Sequence, residues 1–308
     1  MHSGATNGQP LLHHDQGFVE ESATGDSPVV AAPAPRESAQ SRRVRVRGCV
    51  GMMINQTLTK LAEMRLGTMG DEFVRQMELP AMNALSFDER FGLVVEAEWR
   101  NRYNAKIDRL LKAAKLRCPS ACLEDIDLSA ERNLDKALIA RLSDMVWLSD
   151  NRNLLITRPC GVGKTWIASA FGNAACRLGK RVATYRVSRL LDDLRMARSD
   201  GTWGKLLATL KKPDILILDD FGLDRLDATH SRDLMEIAED RERTGVMIIT
   251  AQLPVLEWHE VFDDKTVADA TLDRIVHGSF RIELRGPSRR ARFNASSSTK
   301  SGGDCSNG

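Results

Sequence analysis

The chain has 308 residues, and its 44 Lys and Arg against 42 Asp and Glu give a formal net charge of +2 at pH 7. A chain of this length holds about two domains, and a charge so close to zero excludes a polycation of the histone type, so any attraction to nucleic acid must come from local basic patches. No run approaches the roughly 18 consecutive apolar residues of a membrane-spanning helix, and six scattered cysteines do not form a disulfide framework. We therefore expect a reduced, cytoplasmic protein with no membrane contact.

Residues 1–51 lack apolar periodicity and hold four of the ten prolines. Such a segment does not bury enough apolar surface to fold, so we expect a disordered leader. Its run of alternating Arg and Val at 43–47 allows three interpretations. The run is a basic arm that contacts DNA phosphates, part of a solvated tail, or a segment added by a start codon upstream of Met52 or Met53. We favour the second and third interpretations over the first.

Helical periodicity begins after this leader. Apolar side chains recur at intervals of three and four over residues 54–79, and a second stripe runs from Phe87 to Ala114 behind Ser86, a candidate N-cap. We predict a small all-α domain over residues 52–118. One face of its second helix is basic, and that face either follows a phosphate backbone or only keeps the domain solvated. Around the single acid Asp108 the basic residues are Arg100, Arg102, Lys106, Arg109, Lys112, Lys115 and Arg117.

Short apolar strands alternate with helices beyond residue 119. Strands are predicted at 154–157, 182–187, 215–218, 247–250 and 280–284, with helices starting near 164, 188 and 231. The alternation predicts an α/β domain over residues 119–293, in which a five-stranded parallel sheet is flanked by helices. Residues 294–308 are rich in Ser, Gly and Asn, and we expect a disordered tail there.

The segment RPCGVGKT at 158–165 follows the first predicted strand and opens a helix, which is the context of a phosphate-binding loop. Backbone N–H groups of such a loop and the helix dipole both attract an anion. Lys164 is expected to neutralise the β- and γ-phosphates, and the Thr165 hydroxyl to bind Mg²⁺. The residues we assign to nucleotide binding here are Gly161, Val162, Gly163, Lys164, Thr165 and Trp166.

Arg158 stands where the pattern G-x-x-x-x-G-K-[ST] has its first glycine. If this position needs a left-handed backbone, a side chain there costs about 1–2 kcal/mol, against about 8 kcal/mol for micromolar binding of a nucleotide. We therefore expect binding weakened by about tenfold rather than abolished. The long side chain either blocks the pocket or adds a phosphate contact.

A second group of candidate site residues comes at the ends of later strands. Asp219 and Asp220 follow the apolar strand at 215–218, and the carboxyl edge of a parallel sheet is where α/β proteins bind ligands. Asp219 is expected to meet the Mg²⁺ held by Thr165, while Asp220 orients or deprotonates the attacking water. Thr250 and Gln252, at the next strand end, are candidates for contact with the γ-phosphate or that water.

Arg274 follows a predicted helix over residues 266–272. A guanidinium in this place can reach the nucleotide of a neighbouring subunit and stabilise charge in the transition state. The alternative is an ion pair within its own chain.

Several longer phrases resemble the IstB-like ATP-binding proteins, the AAA+ helper ATPases of insertion-sequence transposition, which are themselves similar to the DnaC helicase loader. The phrases include LSFDER at 85–90, LEDID at 123–127, ILDDFGL at 217–223, TAQLP at 250–254 and ADATLDRIVH at 268–277. The phosphate loops of that family read GPTGVGKT, so Arg158 and Cys160 are departures from its pattern.

The resemblance implies an initiator-type AAA+ P-loop fold, with ATP and Mg²⁺ as cofactors. It also implies duplex DNA, a cognate transposase and further copies of the chain as partners, in a protein that assists target selection. The catalytic residues would be Lys164, Asp220 as the acid that activates water, and Arg274 as a finger acting in a neighbouring subunit. Thr250 and Gln252 would form the first sensor segment, and residues 123–127 would border the adenine.

Two alternative functions stay open from the sequence. One is a DnaC-like helicase loader in DNA replication. The other is a nucleotide-dependent adaptor for DNA or transposase that has lost hydrolysis because of Arg158.

Overall fold

The computed structural model describes residues 39–128, 134–158 and 161–285, and the side chains of residues 39–50 lie outside this description. The chain forms two compact units, one ending at Glu63 and the other beginning at Met64. In the first unit the described residues form one helix, α1 (Ala39–Glu63). The predicted boundary at residue 51 lies inside this helix, whose sequence contains no proline that would interrupt its hydrogen bonds. Residues 1–38 and the predicted tail at 294–308 lie outside the described residues.

The second unit begins with two helices, α2 (Gly67–Glu78) and α3 (Phe87–Ala114), joined through a 3₁₀ turn at Pro80–Ala84. Ser86 caps α3 as predicted, since its hydroxyl accepts from the Glu89 N–H and its own N–H donates to the Glu89 carboxylate at 2.8 Å. This reciprocal capping satisfies backbone donors that the first turn of a helix leaves unpaired. The capping box fixes the start of the longest helix of this unit that the structure describes.

A five-stranded sheet forms the centre of the second unit. Its strands lie in the order β2-β3-β4-β1-β5, and all neighbouring pairs run parallel. The predicted α/β fold with a five-stranded parallel sheet is thus confirmed. The strands are β1 (Leu154–Thr157), β2 (Val182–Arg186), β3 (Ile215–Phe221), β4 (Val246–Ala251) and β5 (Phe280–Glu283).

Helices cover both faces of the sheet. Leu154 and Ile156 of β1 face a core shared with α5, whereas Leu155 faces a second core built with the helices between β2 and β5. This alternation follows from the two-residue period of a strand. The helices are α4 (Lys136–Ser143), α5 (Lys164–Arg177), α6 (Val187–Ser199), α7 (Trp203–Lys211), α8 (Ala228–Arg241) and α9 (Lys265–Val276).

The end of α3 belongs to the core of the sheet. Ala114 and Leu116 are buried there, and Leu110 and Leu111 pack against the same cluster. The boundary predicted at residue 118 consequently lies within a continuous packed unit. Among the described helices, none is both long enough and apolar enough to cross a bilayer.

Candidate nucleotide-binding site

The loop between β1 and α5 has the backbone that its glycines permit. Gly161 has φ 85° and Gly163 has φ 94°, in the left-handed region that favours glycine. Gly163 is also the N-cap of α5 and has no side chain, so the positive end of the helix faces the loop directly. The loop lies at the carboxyl end of β1, a strand with two neighbours in the sheet.

Lys164, the first residue of α5, is only 6% exposed. Its ammonium donates to the Arg158 carbonyl oxygen at 2.6 Å, so the side chain spans the loop from its last residues back to its first. An ammonium held inside a loop of positive-φ glycines provides a fixed charge for an anion. The role of Lys164 in neutralising phosphate stays a prediction.

Asp219 of β3 is 1% exposed and is the centre of the acidic side of the site. Its carboxylate accepts a hydrogen bond from the Thr165 hydroxyl at 2.9 Å and another from the Thr250 hydroxyl. Residues of α5, β3 and β4 thus meet at one edge, as expected from parallel strand ends. The structure brings together Thr165, Asp219 and Thr250.

The oxygen atoms of Thr165 and Asp219 fit a magnesium ion. Mg²⁺ takes oxygen ligands in an octahedron with bonds of about 2.1 Å, so two adjacent ligands stand about 3 Å apart. The Thr165 hydroxyl lies 2.9 and 3.2 Å from the two Asp219 carboxylate oxygens. A hydroxyl and a buried carboxylate at this spacing form a suitable pair of ligands.

Asp220 adopts φ 62°, a conformation that Asp tolerates better than most residues. Its N–H donates to the Thr250 hydroxyl at 3.1 Å, so Thr250 connects both acids. Its carboxylate forms ion pairs with Arg117 at 3.3 Å and Arg186 at 3.2 Å. The acid that the resemblance assigns to water activation is therefore held between two guanidinium groups.

Arg117 is a site residue that the sequence did not indicate. The prediction placed it on the basic face of a helix, but α3 ends at Ala114 and Arg117 Nη1 donates to Asp219 Oδ2 at 2.8 Å. Burial tends to lower the pKa of Arg117, but the charges of Asp219 and Asp220 outweigh it and raise that pKa above its usual value. Arg186 could have been identified as a site residue from the sequence, because it ends β2 at the same edge of the sheet as Asp219.

Arg158 has φ 131°, so the position of the missing glycine does use the region that disfavours a side chain. Its N–H donates to the Ala251 carbonyl at 3.2 Å, and its guanidinium forms an ion pair with Glu283 on β5. β5 lies on the other side of β1 from the acids of β3. The guanidinium is therefore directed toward β5 and does not pair with the acids of β3.

A cavity of about 340 Å³ lies between α4 and β5, next to the Arg158–Glu283 pair. This volume is at the lower end for small-molecule sites, and residues 123–127, which the resemblance places beside the adenine, do not line it. Its lining residues are Leu134, Asp135, Leu138, Ile139, Arg281, Ile282 and Glu283.

The other predicted site residues are more scattered. Val162 is buried and Trp166 half-buried in the core under α5, and Gln252 follows the end of β4 at the carboxyl edge. Arg274 lies near the end of α9, which leads to the amino end of β5, and so at the opposite edge of the sheet from the loop. It donates to the Ala270 carbonyl and pairs with Glu242 at 3.6 Å. Arg274 therefore does not contact the site of its own chain.

A glycine loop before α5, a lysine inside it and a buried acid on β3 in this strand order define a P-loop protein of the AAA+ class. Residues 59–297 match the family described as IstB-like ATP binding protein. The chain belongs to this family.

Several similar proteins are named as ATP-binding proteins of insertion sequences. An insertion-sequence ATP-binding protein of Sinorhizobium fredii is 44% identical over 239 residues, which are 78% of this chain and 97% of the relative. An insertion-sequence ATP-binding protein of Pseudomonas fluorescens is 46% identical over 203 residues, 66% of this chain and 88% of the relative. Among solved structures, a crystal structure of DnaI has a TM-score of 0.47 at 22% identity and covers 59% of this chain and 93% of that one.

Proposed function

We propose that the chain binds ATP with Mg²⁺ at this site and hydrolyses it, as a helper protein of DNA transposition. The observation that carries the proposal is the 2.9 Å contact between Thr165, at the start of α5, and the buried Asp219 of β3. It joins the two halves of a P-loop site, the phosphate loop and the metal-binding acid. Membership of a family of insertion-sequence ATP-binding proteins supports the biological setting.

Each residue has a distinct role in the proposed reaction. The loop N–H groups and the Lys164 ammonium bind the phosphates, and Thr165 with Asp219 holds Mg²⁺, which offsets phosphate charge when bound. Asp220 orients the attacking water and accepts its proton. Thr250 fixes both acids through its hydroxyl, which donates to Asp219 and accepts from the Asp220 N–H.

We further propose that the protein acts in the cytoplasm as an ATP-dependent oligomer on duplex DNA and assists a transposase in choosing its target. The basic residues of α3 supply the charge that phosphates require, with Arg100 and Arg109 exposed on that helix. Such binding should weaken steeply with salt, because it releases counterions from the DNA.

Equilibrium titration with ATP and measurement of turnover, each with and without duplex DNA, test the proposal. Lys164→Ala should lose ATP affinity by at least about a hundredfold, the effect of removing a charged hydrogen-bond donor from a buried site. Lys212→Ala, at an exposed lysine at the end of α7, is the matched control and should behave like the wild type. Unchanged ATP binding in Lys164→Ala would refute the nucleotide site.

The conformation of Arg158 favours a second candidate, an adaptor that binds nucleotide without hydrolysing it. Strain at φ 131° can displace the loop from the geometry that catalysis needs. Under this candidate the wild type binds ATP without turnover, and Arg158→Gly restores turnover. Turnover in the wild type, unchanged in Arg158→Gly, would eliminate the adaptor.

A further inference from the structure

The backbone around Arg117 is held by packing, whereas its side chain is partly exposed to solvent. Leu116, on one side, packs so closely on α5 that a Cβ on Gly172 would lie 2.7 Å from it. On the other side, the Cys118 N–H donates to the Ser169 hydroxyl at 3.3 Å, and the Asn173 amide donates to the Pro119 carbonyl at 2.9 Å. The backbone on both sides of Arg117 is thus attached to the helix that follows the phosphate loop.

The guanidinium of Arg117 forms a hydrogen bond with one carboxylate oxygen of Asp219, the acid proposed to bind the metal ion. Asp219 Oδ1 accepts from the Thr165 and Thr250 hydroxyls, and Oδ2, which lies 3.2 Å from the Thr165 hydroxyl, also accepts from Arg117 Nη1 at 2.8 Å. The formal charges of Asp219 and Asp220 are balanced by Arg117 and Arg186. The acids are therefore already neutralised by the chain itself.

A guanidinium and Mg²⁺ compete for these acids. Both are cations, and at the few ångströms that separate neighbours on one carboxylate their repulsion is strong in a partly buried site. The side chain of Arg117 is 45% exposed, so it has solvent into which it can turn, whereas Asp219 is buried and stays. When Mg²⁺ binds to Asp219, the Arg117 guanidinium is therefore the cation that can move away.

We propose that Arg117 is an internal counter-ion of Asp219 and Asp220 that Mg²⁺ displaces, so that this residue sets the metal affinity of the site. The inference rests on the proposed function for its nucleotide part. The part of the inference that concerns metal binding depends only on Asp219 and Asp220. The displaced side chain leaves while Leu116 and Cys118 keep the backbone on α5.

The experiment measures metal binding to the full-length protein directly. Mn²⁺ without nucleotide is followed by electron paramagnetic resonance, and ATP is titrated with and without Mg²⁺. Arg117→Gln should bind Mn²⁺ at least about tenfold more tightly than the wild type, and the factor by which Mg²⁺ strengthens ATP binding should grow by a similar ratio. Arg117→Lys keeps the positive charge on a shorter side chain without the planar guanidinium, and its Mn²⁺ affinity should fall between those of the wild type and Arg117→Gln.

Arg195→Gln is the matched control, because Arg195 forms an exposed pair with Asp192 on α6. It should leave both constants unchanged. If Arg117 were only a structural ion pair, Arg117→Gln would lower the melting temperature and leave the Mn²⁺ affinity as it was, which overturns the proposal. Weaker ATP binding in Arg117→Gln with unaltered Mn²⁺ affinity would make Arg117 a phosphate ligand and also overturn it.

Failure of the proposed function is distinguishable from failure of this inference. A wild type that binds no ATP refutes the function, while the Mn²⁺ measurement still decides whether Arg117 competes with metal. Should Arg117→Gln fail to fold, Arg117→Lys gives the same comparison with a smaller expected shift.

Discussion

Arg158 holds a backbone conformation that glycine adopts at lower free energy. At φ 131° a residue with a Cβ is strained by about 1–3 kcal/mol. Its ion pair with Glu283 is partly exposed and compensates for little of this. The strain is stored beside the loop, where it acts on the same segment that positions Lys164.

Replacing Arg158 separates the strain from the ion pair. Arg158→Gly and Arg158→Ala both remove the pair, but only glycine relieves the backbone, so the glycine variant should be more stable than the alanine variant by about 1–2 kcal/mol, even after its larger unfolded-state entropy. Urea unfolding of the two variants gives the difference. Equal stabilities would mean that the residue is not strained.

The helix after the loop is packed too closely to accept an extra methyl group. A Cβ at Gly172 of α5 would lie 2.7 Å from Leu116 and 2.9 Å from Ile217 of β3. This glycine lets the end of α3, the helix α5 and the sheet approach one another. The same contact holds the backbone next to Arg117.

Two glycine-to-alanine changes in helices should therefore have opposite effects on stability. Gly172→Ala should lower the free energy of unfolding by about 1–3 kcal/mol through overpacking. Gly92→Ala in α3, where a Cβ meets nothing within 4 Å, should raise it by up to about 1 kcal/mol through helix propensity. Chemical denaturation checks both, and a stabilised Gly172→Ala would contradict the packing described.

The start of α8 gives a pH-dependent contribution to stability. Asp227 accepts from the N–H groups of His230 and Thr229, and the hydrogen bond from His230 is the main cause that lowers its pKa. Because the folded pKa is depressed, this stabilisation is present above the unfolded pKa of about 3.9 and is lost as the pH falls through the folded value.

Asp227→Asn keeps a capping side chain but does not titrate. The wild type should be more stable than this variant at about pH 6, and the difference should shrink as the pH falls below the unfolded pKa of about 3.9. Melting temperatures across this range provide the measurement. A difference independent of pH would show that the charge of Asp227 contributes nothing.

Local patterns predicted the elements that build the site. The strand β1, the glycine loop and the start of α5 follow one another within a dozen residues, so their order alone indicates a phosphate loop. The prediction ended β3 at Leu218, whereas the strand continues to Phe221. Hydrogen bonds from Thr165 and Thr250 let the Asp219 carboxylate remain buried inside the strand, and those partners are distant in sequence.

Other features depend on contacts that no local pattern carries. Arg117 reaches Asp219 across 102 positions of the chain, and a basic helix face gives no indication of that contact. Between β2 and β3 the prediction contained one helix, but the chain forms α6 and α7, separated at Gly201 with φ 75°. The division at residue 118 was expected from the change of helical spacing to alternating strands and helices, although residues on both sides share one core.

At the scale of the whole molecule, the groups of the proposed reaction lie at two opposite edges of the sheet. The phosphate loop lies at the carboxyl edge, and Arg274 lies at the amino edge near Glu242. In an oligomer that places one edge against the other, each site would receive Arg274 from its neighbour. The assignment of Arg274 as a finger stays a prediction.

Mixing two inactive variants tests it. Lys164→Ala removes the site but keeps Arg274, and Arg274→Ala does the reverse, so each should lack turnover. An equal mixture should recover about a quarter of wild-type turnover, because half the sites are intact and half of these face an intact Arg274. ATP hydrolysis on duplex DNA is the measurement. Full activity in Arg274→Ala would show that the residue forms only an internal pair.

The second half of the long helix α3 packs on α5 and the sheet. The Tyr103 hydroxyl donates to the Arg177 carbonyl at 2.9 Å, and from there to Ala114 the helix lies against α5 and β2. Residues 87–102 extend beyond the Tyr103 contact by about 24 Å. A tilt of about 5° at this contact would move the stacked, exposed rings of Phe87 and Phe91 through about 2 Å, while Arg117, three residues past the other end of the helix, contacts Asp219.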